Sequence, residues 1–367
     1  MSLALATPPF AILPNATPVS VADRGLMLEN PGFGRVFTDH MAIVRYSAGK
    51  GWHDARLTAR APLQIDPACS VLHYAQEIFE GMKAYRAADG SVVLFRPEAN
   101  AARFNDSARR MAMPELPEGL FLEAVEQLIR IDRDWIPAVE GGSLYLRPFM
   151  FANEVFLGVK PSSEYLFLVI ASSVGAYFKG GREAVSLWVS EHYTRAAPGG
   201  TGAAKCGGNY AASLAAQAEA IEHGCDQVVF LDAAERKWVE ELGGMNIFFV
   251  FDDGSIITPP LGTILPGITR DSIMTIARAD GIELREEAYS IDQWKADAAS
   301  GKLREAFACG TAAVVTPIGE VHSTDGRFTI GAGGAGQVTS RIKQSLVAIQ
   351  RGEAPDRFGW VRPVIQG

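Results

Sequence analysis

One lysine among the nine in this chain stands in a setting unlike the others. Lys205 lies in the run Gly199-Gly200-Thr201-Gly202-Ala203-Ala204-Lys205-Cys206-Gly207-Gly208-Asn209-Tyr210, where its neighbours are small and uncharged. Glycines let a backbone and a flat ring approach closely. Taking an ammonium out of water disfavours its charged form. The neutral amine is the species that attacks an aldehyde to make a Schiff base. A flexible glycine loop carrying an exposed lysine gives the same spacing, so this run alone leaves both readings open. It is not a nucleotide P-loop, which needs GxxxxGK[ST]; here Ala204 precedes Lys205 and Cys206 follows it.

A second chemical candidate is Glu241, in Glu240-Glu241-Leu242-Gly243-Gly244-Met245-Asn246. A carboxylate inside an apolar strand is costly without a cationic partner. A protonated ring nitrogen is such a partner, and the contact keeps the ring able to accept electrons; an exposed acid at a strand end fits the pattern equally well. Gly267-Ile268-Thr269-Arg270 opens a helix, which aims free amides and a positive helix end at one place, as a phosphate requires. Gly310-Thr311-Ala312 sits in a break of an apolar strand and adds a hydroxyl and amides, while Arg103 and Arg195 offer charge-assisted hydrogen bonds. Tyr145 and Arg147 are two residues apart, hence on one side of a strand. An arginine among Leu144, Leu146, Pro148 and Phe149 calls for a carboxylate. Tyr74, Phe79 and Tyr177 suit an apolar pocket or ordinary core packing.

The elements that must position these residues follow from periodicity. Phe37 to Tyr46, Ser91 to Phe95, Ser143 to Ala152 and Glu164 to Ser173 read as strands. Asn100 to Met113 and Pro117 to Ile136 read as helices, the second with Phe121, Val125, Leu128 and Ile129 at helical spacing. A charged, glycine-containing connector near residue 180 separates two domains, residues 1–178 and 189–367, with 179–188 between them. Beyond it, strand Ala184 to Val189 precedes the lysine loop and helix Asn209 to His223. Strands follow at Asp226 to Asp232, Trp238 to Gly243 and Ile247 to Phe251, the last leading into an Asp252-Asp253-Gly254 turn. Thr269 caps a helix to about Asp280, Ile291 to Gly301 is a short helix, Ala306 to Pro317 is one strand interrupted at Gly310-Thr311, and Val338 to Arg351 is the last helix. Met1 to Ser20, with four prolines, reads as an extended arm.

Length and composition bound the function. At roughly 150 residues per domain, 367 residues make two domains with a large core. The net charge of −8 argues against broad binding to nucleic acid or anionic membranes. Four scattered cysteines and six dispersed histidines form no CxxC pair or metal-ligand spacing, so reduced thiols and no metal are expected. No stretch of about 18 uninterrupted apolar residues is present, so no membrane span is expected.

Taken together, these motifs resemble the branched-chain amino acid aminotransferases, a fold type IV group of pyridoxal-phosphate enzymes. The likeness runs from about Phe33 to Pro317. It rests on Phe33-Gly34 with Phe37-Thr38-Asp39-His40-Met41, His73-Tyr74, Phe79-Glu80-Gly81-Met82-Lys83-Ala84-Tyr85-Arg86, Asn100 to Arg103 and Leu144-Tyr145-Leu146-Arg147-Pro148. The lysine loop, Glu241 to Asn246, Leu265 to Arg270 and Gly310-Thr311-Ala312 complete it, in the family's order.

The resemblance implies an α+β fold of two domains, a smaller N-terminal α/β domain and a larger C-terminal one with a barrel-like β core, and the cofactor pyridoxal 5'-phosphate between them. It implies that Lys205 bonds the cofactor and later carries the proton, Tyr210 hydrogen-bonds the ring oxygen and Glu241 the ring nitrogen. Arg103, Arg195, Ile268, Thr269 and Thr311 would hold the phosphate. Tyr145 and the amides of Thr311 and Ala312 would bind the substrate α-carboxylate, and Arg147 the side-chain carboxylate of glutamate. Phe33, Tyr74, Phe79 and Tyr177 would form the apolar pocket. Leu157 and Val159 would reach the partner subunit's site in a cytoplasmic homodimer. The implied activity is reversible, ping-pong transfer of the amino group between leucine, isoleucine or valine and 2-oxoglutarate. Gly244 departs from members with threonine there, and Ala313 and Thr316 replace a redox CxxC found in some animal members. The nearest rivals are a D-amino acid aminotransferase and an aminodeoxychorismate lyase; Tyr145-x-Arg147 and the long N-terminal region favour the branched-chain reading.

Overall fold

The structure is a computed structural model describing residues 10–139, 141–175 and 184–367. The chain divides into two units: the first takes residues up to 175 with 204–207 and 349–367, the second 184–203 and 208–348. The first unit also takes in the C-terminal segment, whose strand Val361–Ile365, not foreseen in the sequence, pairs antiparallel with Val92–Phe95.

The first unit is built on a ten-stranded sheet. Its main path runs Ala11–Ile12, Gly51–Ala59, His40–Ser47, Glu164–Val174, Ser143–Ala152, Met82–Arg86, Val92–Phe95 and Val361–Ile365, and Glu77–Phe79 pairs with Ser143–Ala152 beside that path. Strand side chains alternate between faces. Leu144, Leu146 and Met150 therefore enter a core with Phe104 and Phe121 of helices Pro97–Arg110 and Glu118–Ile131. Phe104, Phe121 and Phe167 meet with centroids 5.4 to 5.9 Å apart. Burying each such ring stabilises by about 1.5–3 kcal/mol. The alternate residues Tyr145, Arg147 and Phe149 are left half-buried on the other face, where they are available to a ligand.

The second unit carries a nine-stranded sheet in the order Val239–Leu242, Gln227–Leu231, Val185–Ser190, Val314–Ser323, Leu303–Gly310, Asn246–Phe251, Ile256–Thr258 and Leu284–Glu286, with Gly326–Thr329 on Val314–Ser323. Edge strand Val239–Leu242 turns through Gly243-Gly244 straight into Asn246–Phe251, and Leu242 N–H donates to the Met245 carbonyl at 2.9 Å. That turn brings the edge against a central strand, so the sheet curls into the barrel-like core expected. Phe248 and Phe307 stack at 5.0 Å, and Phe249 packs on Tyr289 and Trp294. Gly254 makes the expected turn at φ 82°, a conformation that side chains disfavour.

Four local readings are corrected. Ala306 to Pro317 is not one strand: Leu303–Gly310 and Val314–Ser323 are antiparallel partners reversing at Gly310–Val314. Thr269 does not cap its helix; Ile268–Ala279 starts one residue before it, after Gly267. The Pro97–Arg110 helix begins before Asn100, because Pro97 suits a first turn. The Glu118–Ile131 helix stops five residues short of Ile136, because the Asp132 carboxylate turns to accept from His40 N at 3.0 Å and meets His40 Nδ1 at 2.7 Å. A helix at Val21–Glu29, capped by the Ser20 hydroxyl, was not foreseen in the sequence.

Candidate functional site

In the first unit the lysine segment is laid along the Glu77–Phe79 strand like an extra short strand. Phe79 N–H donates to the Lys205 carbonyl at 3.0 Å. Lys205 N–H donates to Ser107 Oγ at 2.9 Å, and Gly207 N–H donates to Glu77 Oε1. Ala204 and Cys206 are buried in the core, which leaves Lys205 half-buried with Nζ 4.9 Å from the Phe79 ring centroid. The exposed-loop alternative for Lys205 is thereby excluded.

The same aromatic ring receives Arg147, whose guanidinium carbon lies 4.6 Å from the Phe79 centroid and 5.4 Å from that of Tyr145. Arg147 Nη2 donates to Tyr145 Oη at 3.0 Å, and its buried Nε has no hydrogen-bond partner. Phe33 meets Tyr145 edge-on at 5.2 Å. Gly81 is needed here, because a Cβ would overlap the Tyr145 hydroxyl. Tyr74 is exposed and donates to the Leu157 carbonyl, and Leu157 and Val159 are 61% and 86% exposed. Tyr177 lies outside the described residues.

Arg103 is held by a carboxylate that sequence reasoning quoted only inside a motif. Glu80, with no exposed surface, accepts from Arg103 Nε and Nη2, both at 2.8 Å, and from Asn100 Nδ2 at 2.7 Å. Burial pushes the Glu80 carboxyl up, but Arg103, Lys205 and Asn100 outweigh it and hold the group below its ordinary value. An acid straddled by Phe79 and Gly81 in an apolar run was the signal available. Lys83 was likewise missed. It lies opposite Tyr145 in the strand register, and burial, aided by Arg351, pushes its ammonium down to about 8.

In the second unit Glu241 is buried and takes three donors. Arg195 Nη1 is 2.7 Å from Oε1, Leu265 N–H donates to Oε1 at 3.1 Å, and Asn246 Nδ2 donates to Oε2 at 3.0 Å. Arg195 is therefore turned to Glu241 and to the Gly202 and Thr263 carbonyls. The twelve-residue helix Ile268–Ala279 has no side-chain cap, so the Ile268 and Thr269 amides present a donor set that suits a phosphate. Arg270 faces elsewhere, with Nη2 on Pro259 O and Glu286 at 2.8 Å each. Thr311 and Ala312 occupy the reversal that ends at Val314, whose φ of 62° is a strained conformation for a β-branched residue. Tyr210, near the start of Gly207–Glu222, lies against Gly244: a Cβ there would stand 3.8 Å from its ring. Asn209, also missed, ties the loop by donating from Nδ2 to the Thr201 carbonyl at 2.8 Å.

A family model described as amino-transferase class IV matches residues 77–321. A Streptomyces coelicolor protein named a probable branched-chain-amino-acid aminotransferase is 57% identical over 359 residues, which cover 97% of this chain and 99% of that one. The branched-chain-amino-acid aminotransferase of Mycolicibacterium smegmatis is 55% identical over 357 residues, 96% and 97% of the two chains. Among solved structures, the branched-chain amino acid aminotransferase from Escherichia coli matches with a TM-score of 0.71 at 32% identity, covering 88% of this chain and 99% of that one. The branched-chain amino acid aminotransferase from Thermobaculum terrenum, solved in its PLP-form, matches with a TM-score of 0.70 at 25% identity, covering 88% of this chain and 98% of that one. A lysine segment fixed by three backbone contacts, an aromatic shelf with an arginine over it and a buried acid with three donors thus occur in a chain that belongs to the branched-chain aminotransferases of the class IV aminotransferase family.

Proposed function

We propose that this enzyme moves the amino group of L-leucine, L-isoleucine or L-valine reversibly to 2-oxoglutarate, in two half-reactions at one site, with pyridoxal 5'-phosphate as cofactor. The carrying observation is the shelf of Phe79, Tyr145 and Arg147 beside the Lys205 amine. Bound pyridoxal phosphate supplies an aldehyde and an electron-accepting ring. Each unit offers its own share of what such a group needs. From the first come the Lys205 amine and the Arg103 guanidinium held by Glu80; from the second come Glu241 for the ring nitrogen, Tyr210 for the ring oxygen, and Arg195 with the Ile268, Thr269 and Thr311 donors for the phosphate.

Lys205 holds the reacting amine against an apolar ring, in position to move a proton at Nζ. Tyr145 with the Thr311 and Ala312 amides orients the α-carboxylate. Phe33, Tyr74 and Phe79 give the aliphatic chain an apolar surface. Arg147, already resting on two aromatic rings, tolerates an aliphatic neighbour because cation–π contacts and the Tyr145 hydroxyl partly satisfy it. Its unpartnered Nε is a donor for the distal carboxylate of glutamate. The exposed apolar Val155, Leu157 and Val159 support a homodimer in which Leu157 and Val159 border the partner's site. No helix among the described residues is long and apolar enough to cross a membrane; a cytoplasmic setting is part of this reading.

The test is the visible spectrum of the purified protein. A yellow protein that bleaches with L-leucine and recovers its colour with 2-oxoglutarate supports the reading. Bleaching by D-alanine, or turnover of aminodeoxychorismate with no response to L-leucine, would favour the rival activities of the same fold.

A further inference from the structure

Glu77 takes no part in the reaction derived above, yet it contacts the lysine segment and shares a strand with the aromatic shelf. It shares a strand face with Phe79, two residues on, the ring over which both Arg147 and Lys205 sit at 4.6 and 4.9 Å. Its Oε1 accepts the Gly207 amide, two residues beyond Lys205. Its carboxyl is half-buried among these groups. Burial pushes it above the ordinary carboxylate value, against the Gly207 amide and the Arg147 charge, which both act to lower it. Arg147 over that ring, with a half-buried acid at the end of the ring's strand, makes a local charge balance into which a substrate side chain must fit.

We propose that Glu77 is a specificity-determining positioning residue: through Arg147 it sets how strongly the side-chain end of the site favours a second carboxylate over an aliphatic chain. This rests on the reading that Arg147 borders the substrate side chain. An ionised Glu77 neutralises part of the Arg147 field while an aliphatic chain is bound. When a dicarboxylate is bound, Glu77 competes with the incoming carboxylate for the same guanidinium and repels it. Weakening Glu77 therefore shifts the enzyme toward dicarboxylates with the reacting groups untouched.

Glu77→Gln isolates the charge, because its amide oxygen still accepts from Gly207 and the side chain keeps its volume. Equilibrium binding of two unreactive analogues, glutarate and 4-methylvalerate, to the holoenzyme reads the effect without turnover. We expect glutarate to bind about 5- to 10-fold more tightly to Glu77→Gln and 4-methylvalerate to change by less than about 3-fold, the scale of one charge at a partly screened separation. In an Arg147→Met background the same substitution should leave the ratio of the two affinities unchanged, a coupling that a merely structural role for Glu77 would not produce. A ratio unchanged in Glu77→Gln, or an equal shift in the Arg147→Met background, overturns the proposal. If neither analogue binds the parent enzyme, the reading of the substrate site fails and takes this proposal with it.

Discussion

Glu80→Gln is the perturbation with the most explicit structural consequence. The carboxylate has no exposed surface, and its two oxygens accept from Arg103 Nε, Arg103 Nη2 and Asn100 Nδ2 at 2.7–2.8 Å. Gln matches the shape, but its amide places a donor against a donor on at least one of these contacts. It also leaves the Arg103 charge buried without its counter-ion. Removing one partner of a buried pair costs about 3–5 kcal/mol. For a domain of this size each kcal/mol lowers Tm by about 2–4 °C, so the expected loss is roughly 10 °C. Circular dichroism melts at pH 7 read it directly. The pH dependence gives a second check. Glu80 is held below its ordinary value of 4.5 in the folded state, so its contribution is complete above that value and is lost as pH falls through the lower, folded one. The gap between parent and variant should thus be constant near neutrality and close in acid. A variant melting within about 2 °C of the parent at pH 7, on a scale where several kcal/mol are predicted, would refute the claim that this pair braces the first unit.

Lys205→Ala should abolish transamination while the far-ultraviolet spectrum stays native, since the loop is anchored by backbone groups that alanine keeps; unchanged turnover would remove the lysine from the mechanism. Gly81→Ala drives a methyl into the Tyr145 hydroxyl. At an overpacking cost of about 1–3 kcal/mol, KM for L-leucine should rise by about 10-fold, with most of the kcat retained; steady-state kinetics decide it, and an unchanged KM would free Tyr145 from its carboxylate role. Gly244→Ala meets only ordinary contact with Tyr210 at 3.8 Å and should be neutral or stabilising by about 0.4–1 kcal/mol, read by thermal melts.

How much of this is legible in the sequence depends on whether the determinant is local. Tyr145 and Arg147 share a strand face by period alone, and the structure leaves both half-buried on the face away from Leu144 and Leu146. The hairpin at Gly310–Val314 reads as one interrupted strand because both arms are apolar and register is a non-local property. The return of Val361–Ile365 to Val92–Phe95 has no local signature at all. Ser107 and Asn209 escape notice because a hydroxyl or amide in a helix usually faces water, and only the fold reveals that these two hold the lysine loop, at the Lys205 amide and the Thr201 carbonyl. Glu80 is visible as an anomaly, an acid after Ile78 and Phe79, but not as the partner of Arg103, which lies 23 residues away.

The site residues suggest one rule: its cations come with acids of their own. Arg103 lies on Glu80, Arg195 on Glu241, and Arg147 acts electrostatically on Glu77. An unpaired guanidinium at these depths would be too costly in the absence of ligand, and a pair that was fully satisfied would have nothing left for an anion. The acids therefore tune residual charge as much as they hold geometry. Glu80→Gln tests this from both sides at once. If the acid only braces, the variant melts earlier and binds pyridoxal phosphate no better. If it also tempers Arg103, the folded variant, assayed well below its Tm, should bind pyridoxal phosphate more tightly, by a factor of about 5, while still unfolding at a lower temperature. Equilibrium titration of the cofactor into the apo variant separates the two, and weaker binding would show that orientation of Arg103, and not its unmatched charge, is what Glu80 contributes.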